Sequence, residues 1–289
     1  MKVDFVKMNS QGNDFIIIDN TIASHSLTQS QVKKISSREN IGCDQLLILD
    51  IKDAQNVICR IYNQDGSEAY QCGNGMRAIM FFLNKYYKYD NAAIIINGIK
   101  YYASIDSNMN IKINMGLPNF IDSKIVAEPP RITIEKLKTG YMYREEDFAF
   151  SYAPIELGNF HCVIFSDDCY SEKEKISEIL YRYYKDEPNI SFVLNYKRFN
   201  QKKDNFIKLR VKERGAGWTD SCGSGASATA ALVIKNSFFE DNSTNQICVE
   251  QKGGKLNIQW SNTSPISNDN LFLIGPTTFD YEGIWNDRS

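Results

Sequence analysis

The sequence predicts an α+β protein of two pseudo-symmetric domains, each a mostly antiparallel sheet wrapped around one central helix. Three observations carry that prediction. Residues 71–78, Gln71-Cys72-Gly73-Asn74-Gly75-Met76-Arg77-Ala78, return 150 residues later as Ser221-Cys222-Gly223-Ser224-Gly225-Ala226-Ser227-Ala228, with the shared pattern Cys-Gly-x-Gly-x-x-Ala. The segments ahead of each copy also recur. Asn13 to Cys72 spans 59 residues and Asn159 to Cys222 spans 63, while Arg60 and Arg210 each precede their cysteine by 12, aligning Asn63 with Glu213 and Gly66 with Ala216. Finally, 289 residues suffice for about two domains of roughly 150 residues. The expected division is 1–119 with about 275–289, carrying Cys72, against 120–274, carrying Cys222.

Taken in order, residues 3–8 and 15–19 read as strands about a tight turn at Gly12-Asn13. Residues 27–37 are largely polar and read as a surface helix, and 46–49 and 57–62 as short apolar strands. After Cys72, the residues Met76, Ile79, Met80, Leu83 and Tyr87 recur at helical spacing, which sets Cys72 at or just before a helix N-terminus. Strands follow at 92–96, 100–105 and 111–115, and Gly116-Leu117-Pro118-Asn119 is the expected exit from the first domain. Residues 121–150, with Pro129-Pro130 and many charges, support no assignment. At 155–165 the strand, Gly-Asn turn and strand reappear. The helix over 226–235 is small and apolar almost all round, so it must be surrounded. The final strands near Gly275-Pro276 are expected to return to the first half.

Composition excludes several functions. The chain is 43% hydrophobic and 24% charged, with a net charge of −2, and its basic residues form no long run. Nucleic-acid binding is therefore not expected, and Lys202-Lys203 reads as solvated loop charge. The first residues lack the apolar run of a signal peptide, and no stretch approaches about 18 uninterrupted apolar residues, so a cytoplasmic protein with no membrane partner is expected. There are seven cysteines, no Cys-x-x-Cys spacing, and only His25 and His161 as histidines. That inventory fits neither a disulfide framework nor a zinc ribbon, and no metal site is expected. Cys43, Cys59, Cys162, Cys169 and Cys248 read as core or surface thiols.

A thiol at a helix N-terminus is stabilised as thiolate by unpaired N–H groups and the positive end of the dipole. Burial opposes this, and two thiolates facing one cavity repel, so one thiolate and one thiol is the expected pairing. Such a pair can remove a proton from one face of a carbon and deliver another to the opposite face, which is stereoinversion. The N–H groups of Gly73-Asn74 and Gly223-Ser224 would hold a carboxylate and stabilise charge moving onto it when an α-proton leaves.

The residues that carry this chemistry resemble the diaminopimelate epimerase family of cofactor-independent, two-cysteine amino-acid racemases. The matching stretches are Gly12-Asn13-Asp14-Phe15, Asp44-Gln45-Leu46-Leu47, Asn63 to Ser67, Cys72-Gly73-Asn74-Gly75, Gly158-Asn159 with His161-Cys162, Glu213-Arg214-Gly215-Ala216-Gly217 and Cys222-Gly223-Ser224-Gly225-Ala226. They occur in the family's order and span nearly the whole chain. The resemblance implies interconversion of LL- and meso-diaminopimelate without pyridoxal phosphate, with Cys72 and Cys222 as the acid/base pair. His161 and Glu213 match positions that set the cysteines' protonation. Asn13, Gln45, Asn63, Asn159, Asn189 and Arg214 match substrate-holding positions. Arg214 can pair with a second carboxylate in bidentate fashion, which favours a dicarboxylic substrate. A homodimer is expected from the resemblance alone.

Three departures from the family pattern bear on the pocket. Asn9-Ser10 stands where a histidine-glycine pair is usual, Phe160 where proline is usual, and Trp218 where glutamate is expected before Thr219. A tryptophan four residues from Cys222 would line or narrow the pocket, so a racemase of another amino acid is the alternative within the same chemistry. A thiol redox or sensor protein using Cys72 and Cys222 is the alternative of a different class, and a binding module without catalysis is disfavoured by the presence of both cysteines.

Overall fold

The computed structural model describes residues 1–21, 26–69, 72–121, 132–137, 140–184, 187–198, 205–235, 245–260 and 270–287. His25, Gln71, Pro129-Pro130 and Lys202-Lys203 lie outside the described residues. Two compact units divide the chain, 1–114 with 274–289 and 115–273.

In the first unit the elements in chain order are β1 (Lys2–Ser10), β2 (Asn13–Asp19), α1 (Gln29–Ser36), β3 (Gln45–Asp53), β4 (Asn56–Asn63), β5 (Glu68–Ala69), α2 (Gly73–Tyr87), β6 (Asn91–Ile96), β7 (Ile99–Ile105) and β8 (Ile111–Gly116). β1 and β2 form a hairpin in which Ser10 faces Asn13. Its two turn residues are therefore Gln11 and Gly12, not the Gly12-Asn13 that the sequence suggests. Both are left-handed, at φ 62° and 92°, which is what the primed hairpin turns require, and Asn13 is released to open β2. β2 runs parallel to β3 after the α1 crossover, β3 is antiparallel to β4, and β4 is parallel to β6, which is antiparallel to β7. The last strand of the chain, Thr278–Asn286, lies antiparallel to β1.

Alternation along β2 and β3 separates two apolar faces. Ile16, Ile18, Leu46 and Ile48 join Val32 and Ile35 of α1 in one buried cluster with Trp285. The other face packs on α2, whose Met76, Ile79, Met80 and Leu83 are fully buried, as the helical spacing predicts. α1 is shorter than the 27–37 expectation because Thr28 caps it: its side chain accepts from Gln31 N–H and Gln31 returns a bond to the Thr28 N–H.

The second unit repeats this pattern. Its elements are β9 (Asn119–Phe120), β10 (Ile132–Leu137), β11 (Gly140–Glu145), β12 (Phe148–Leu157), β13 (Asn159–Phe165), α3 (Lys173–Tyr183), β14 (Asn189–Val193), β15 (Phe206–Glu213), β16 (Gly217–Thr219), α4 (Gly223–Lys235), β17 (Gln246–Gln251), β18 (Gly254–Gln259) and β19 (Leu271–Gly275). β12 and β13 form a hairpin, β13 is parallel to β14, β14 is antiparallel to β15, β15 is parallel to β17, and β17 is antiparallel to β18. The pairing order matches that of β1 to β7 strand for strand. The α+β, twofold-repeated fold class read from the sequence is thus the observed one.

Helix α4 starts at Gly223, three residues before the apolar run suggests, and every residue from Gly223 to Val233 is buried. α3 shows why the opposite sheet face is also covered: Ile176, Ile179, Leu180 and Tyr183 recur at helical spacing and are buried against Cys162, Ile164, Ile190 and Phe192. The β10–β11–β12 meander, absent from the sequence reading, adds Tyr141, Tyr143, Phe150 and Tyr152 to that cluster. Among the described residues no helix is long and apolar enough to cross a membrane.

Candidate functional site

In the first unit Cys72 is the N-cap of α2, extended at φ −149° and ψ 104°, and its Sγ accepts the Gly75 N–H at 3.2 Å. The cap arises because Cys72 leaves the helix geometry while its carbonyl already accepts from Met76 N–H at 2.9 Å. Cys72 Sγ also lies 3.9 Å from Asn13 Oδ1, toward which it donates, and Asn74 Nδ2 donates to the same oxygen at 3.4 Å. Asn13 Nδ2 in turn donates to Asp44 Oδ2 at 3.0 Å. Behind it, Asp14 N–H donates to Asp44 and Asp44 N–H donates to Asp14, at 3.0 and 2.8 Å, and Arg38 bridges both carboxylates. Burial raises the Asp14 carboxyl, but the bonds from Arg38 and Lys7 outweigh it and hold the group down to about 2. Gln45 Nε2 donates to Asn63 Oδ1 at 3.1 Å, and Asn63 Nδ2 donates to Ser67 Oγ at 3.1 Å. Gln45 Oε1 is buried without a hydrogen-bond partner among the described residues.

In the second unit Cys222 directly precedes α4 and its Sγ accepts the Gly225 N–H at 3.4 Å, with Ser224 Oγ at 3.5 Å. It is only 3% exposed, where Cys72 is half-buried. Burial first, and the adjacent Glu213 carboxylate second, push the Cys222 thiol well above its ordinary value. Glu213 also accepts from Thr219 Oγ1 at 2.6 Å. Asn189 Oδ1 accepts the Arg214 N–H at 2.9 Å, and the Arg214 side chain is exposed. His161 pairs across the sheet with Asn189 and Ile155, is fully buried, and has both ring nitrogens without a hydrogen-bond partner among the described residues. Burial alone lowers it to about 3, so its ring is neutral. Asn159 opens β13 as Asn13 opens β2, and is half-buried.

Within the first unit, Cys72, Gly73, Asn74 and Asn13 come together, with Gln45 bonded to Asn63. In the second, Cys222, Gly223, Ser224 and Glu213 gather at the start of α4, with Asn189 bonded to the backbone of Arg214. The two aromatic departures take the opposite face of the second sheet. Lys212 and Trp218 face each other across β15 and β16, while Val211 and Ser191 face α4. Trp218 Nε1 donates to Glu174 Oε1 of α3 at 2.8 Å, and its ring packs on Tyr170 and Phe192. Phe160 meets Tyr184 edge-on at 5.0 Å in the same cluster. Both rings pack on the α3 side of the sheet rather than beside Cys222, contrary to the expectation for Trp218, because alternation along the strands turns them away. Cys162 likewise faces the α3 cluster. The third departure is accommodated by bonding: buried Ser10 donates to Asn74 C=O at 3.1 Å and shares a 2.8 Å bond with Thr277.

Sequence reasoning missed Arg77 and Gln251. Arg77 is fully buried, donating to Asn74 Oδ1, Gln11 Oε1 and Pro276 C=O at 2.6, 3.1 and 2.9 Å. Its signal was in the repeat, where a charged residue stands opposite Ser227. Gln251 pairs with the Cys222 backbone and had no signal beyond an alternating strand.

The α+β fold of this chain is shared with several solved proteins, epimerases among them. The chain is similar to the Bacillus anthracis phenazine biosynthesis protein of the PhzF family, with a TM-score of 0.64 at 12% identity, covering 99% of each chain. It is also similar to the hydroxyproline epimerase of Agrobacterium vitis, solved with trans-4-hydroxy-L-proline bound, with a TM-score of 0.62 at 10% identity, covering 98% of this chain and 92% of that one. At these identities the likeness concerns the fold. The family follows from sequence: the chain belongs to the diaminopimelate epimerase family, whose pattern matches residues 5–121 and 154–277. It is 33% identical over 290 residues to the diaminopimelate epimerase of Blochmanniella floridana, covering 98% of this chain and 99% of that protein.

Proposed function

We propose that this protein is an isomerase that epimerises LL-diaminopimelate to meso-diaminopimelate without pyridoxal phosphate, in the synthesis of lysine and peptidoglycan precursors. The observation that carries the reading, beside family membership, is that each unit presents a cysteine whose Sγ accepts the N–H of the glycine three residues on. Cys72 and Cys222 form the thiolate/thiol pair, one in each epimerase half, 1–119 with about 275–289 and 120–274. Burial and Glu213 hold the Cys222 thiol protonated, so it serves as a proton donor, with Cys72 as its partner in the pair. The thiolate takes the α-proton from one face, the thiol protonates the other, and the two exchange protonation states in each turnover.

The amides at Gly73, Asn74, Gly223 and Ser224 receive the reacting carboxylate and stabilise charge developing on it. His161, neutral, and Glu213 set the protonation of the pair. Asn13, Gln45, Asn63, Asn159, Asn189 and Arg214 hold the substrate. The enzyme acts in the cytoplasm as a homodimer; sedimentation at micromolar concentration yielding a monomer would overturn the assembly.

Incubation with LL-diaminopimelate in deuterated water tests the activity. The expected product is the meso isomer carrying deuterium at the inverted carbon, and absence of both isomerisation and label overturns the reading. Cys72→Ser is expected to abolish turnover with the fold intact. A racemase for another amino acid loses its motive, because Trp218 and Phe160 lie on the α3 face of their sheet. A redox sensor is disfavoured because its thiols need low pKa values, and Cys222 is shifted the other way.

A further inference from the structure

Gln251, the last residue of β17, is only 6% exposed and reaches the chain just ahead of α4. Its carboxamide pairs with both polar groups of the Cys222 backbone. Cys222 N–H donates to Gln251 Oε1 at 2.8 Å, and Gln251 Nε2 donates to Cys222 C=O at 3.1 Å. The same carbonyl accepts Ala226 N–H at 3.0 Å, the first bond of the helix. A residue preceding a helix ordinarily leaves its N–H to solvent or to a side chain. Here, with Cys222 buried, the glutamine supplies what water cannot. The strand turn that bears Gln251 is itself tied to this segment, since Gly253 N–H donates to Asp220 C=O at 2.8 Å and Lys252 pairs with the Asp220 carboxylate.

The equivalent strand position in the first unit carries a different kind of side chain. Val57 pairs with Ile94 where Ile207 pairs with Val249, so the residue corresponding to Gln251 is Ile96, a buried aliphatic side chain. The peptide of Cys222 is clamped from both sides by one side chain. With its backbone fixed, Cys222 keeps a single rotation, about its Cα–Cβ bond, to place Sγ between Gly225 N–H and Ser224 Oγ.

We propose that Gln251 is a positioning residue for the reaction, holding the Cys222 peptide so that its thiol meets the substrate carbon on a fixed line. The inference rests on the reading of Cys222 as a proton carrier. Proton transfer between heavy atoms is steep in distance and angle, and a misplacement of about 1 Å costs on the order of a hundredfold in rate. Substrate affinity does not depend on that line, so the loss falls on kcat.

Two variants of the full chain test it, with steady-state epimerisation of diaminopimelate and thermal unfolding measured on each. Gln251→Leu removes both bonds and is expected to lower kcat about tenfold to a hundredfold with KM within about twofold. Gln251→Glu is close in size, and when protonated it offers one acceptor oxygen and one O–H donor, which restores both bonds. When ionised it offers only acceptors and repels the Cys222 carbonyl. The kcat of Gln251→Glu relative to the unaltered enzyme is therefore expected to climb as pH falls from about 8 to 5. A kcat for Gln251→Leu within twofold of normal, a loss confined to KM, or a flat Gln251→Glu ratio overturns the proposal. Should Gln251→Leu fail to fold, the Gln251→Glu ratio decides alone. Cys222→Ser separates the layers: full turnover in that variant overturns the proton-carrier reading, whereas abolished turnover beside a normal Gln251→Leu overturns only the positioning role.

Discussion

Arg77 Nη2 donates to Asn74 Oδ1 at 2.6 Å from a position with no exposed surface. Because a guanidinium only donates and the Asp44 carboxylate only accepts, the two amides strung between them have one orientation that satisfies every bond. Asn74 must point its nitrogen at Asn13, and Asn13 must point its nitrogen at Asp44, leaving Asn13 Oδ1 facing Cys72. The Arg77 charge has three neutral acceptors, and burial lowers it to about 10.

Arg77→Lys keeps the charge and loses the fork. An ammonium can serve some but not all of Asn74, Gln11 and Pro276, and each orphaned acceptor costs about 1 kcal/mol or more. A loss of about 2 kcal/mol in urea unfolding is expected, with a fall in kcat as the Asn74 amide gains a second orientation. Unchanged stability would show that the three bonds carry no net energy.

His161 makes stability fall with acidity. Its folded value of about 3 lies below the ordinary 6.5, so the folded form stays neutral while the unfolded chain takes up a proton. The stability conferred by the neutral ring is fully present above about pH 6.5 and is lost progressively toward pH 3, at up to about 1.4 kcal/mol per pH unit. His161→Phe, which installs the residue type found at the corresponding Phe15, is expected to remove that slope from chemical denaturation curves between pH 6.5 and 4. A slope unchanged by the substitution would assign the acid sensitivity elsewhere.

Much of this architecture was legible. The duplicated Cys-Gly-x-Gly run, the spacing back to Asn13 and Asn159, and the apolar helix after Cys222 each reflect a constraint written in consecutive residues. What escaped depends on which face of a strand a side chain takes. Trp218 lies four positions from Cys222 in sequence, yet the pairing of Lys212 with Trp218 turns it toward α3. Gln251 sits 29 residues beyond Cys222 and meets it only because β17 runs beside β15. The turn at Gln11-Gly12 slipped by one residue since a left-handed glutamine has no sequence signature.

The glycines after the two cysteines are not equivalent. A Cβ at Gly225 would lie 3.1 Å from Val211 Cγ2, 3.2 Å from Ser191 Oγ and 3.3 Å from Cys222 Sγ, whereas at Gly75 the nearest atoms stand at 3.4 to 3.5 Å. Alanine gains about 0.5 to 1 kcal/mol over glycine inside a helix. At Gly75 that gain is expected to offset ordinary contact, giving a change within about 0.5 kcal/mol. At Gly225 crowding wins, and Gly225→Ala is expected to destabilise by about 1 to 2 kcal/mol and to lower kcat by displacing Cys222 Sγ. Equal effects of the two substitutions on thermal unfolding would contradict this ordering.

Trp218 is the residue whose sequence position most invites a role in substrate choice, and its surroundings assign it another. Its indole N–H holds Glu174, which also pairs with Lys212 at 2.6 Å, and its ring lies between Tyr170 and Phe192 in the α3 cluster. Trp218→Phe keeps an aromatic in that cluster but removes one bond to a largely exposed carboxylate and part of the buried ring. The expected cost is about 1 to 2 kcal/mol in denaturant unfolding. Since the ring and Glu213, which neighbours Cys222, occupy opposite faces of the sheet, kcat and KM for diaminopimelate are expected to stay within about twofold. A tenfold rise in KM, with stability unchanged, would place the ring against substrate and return the question of specificity to this residue.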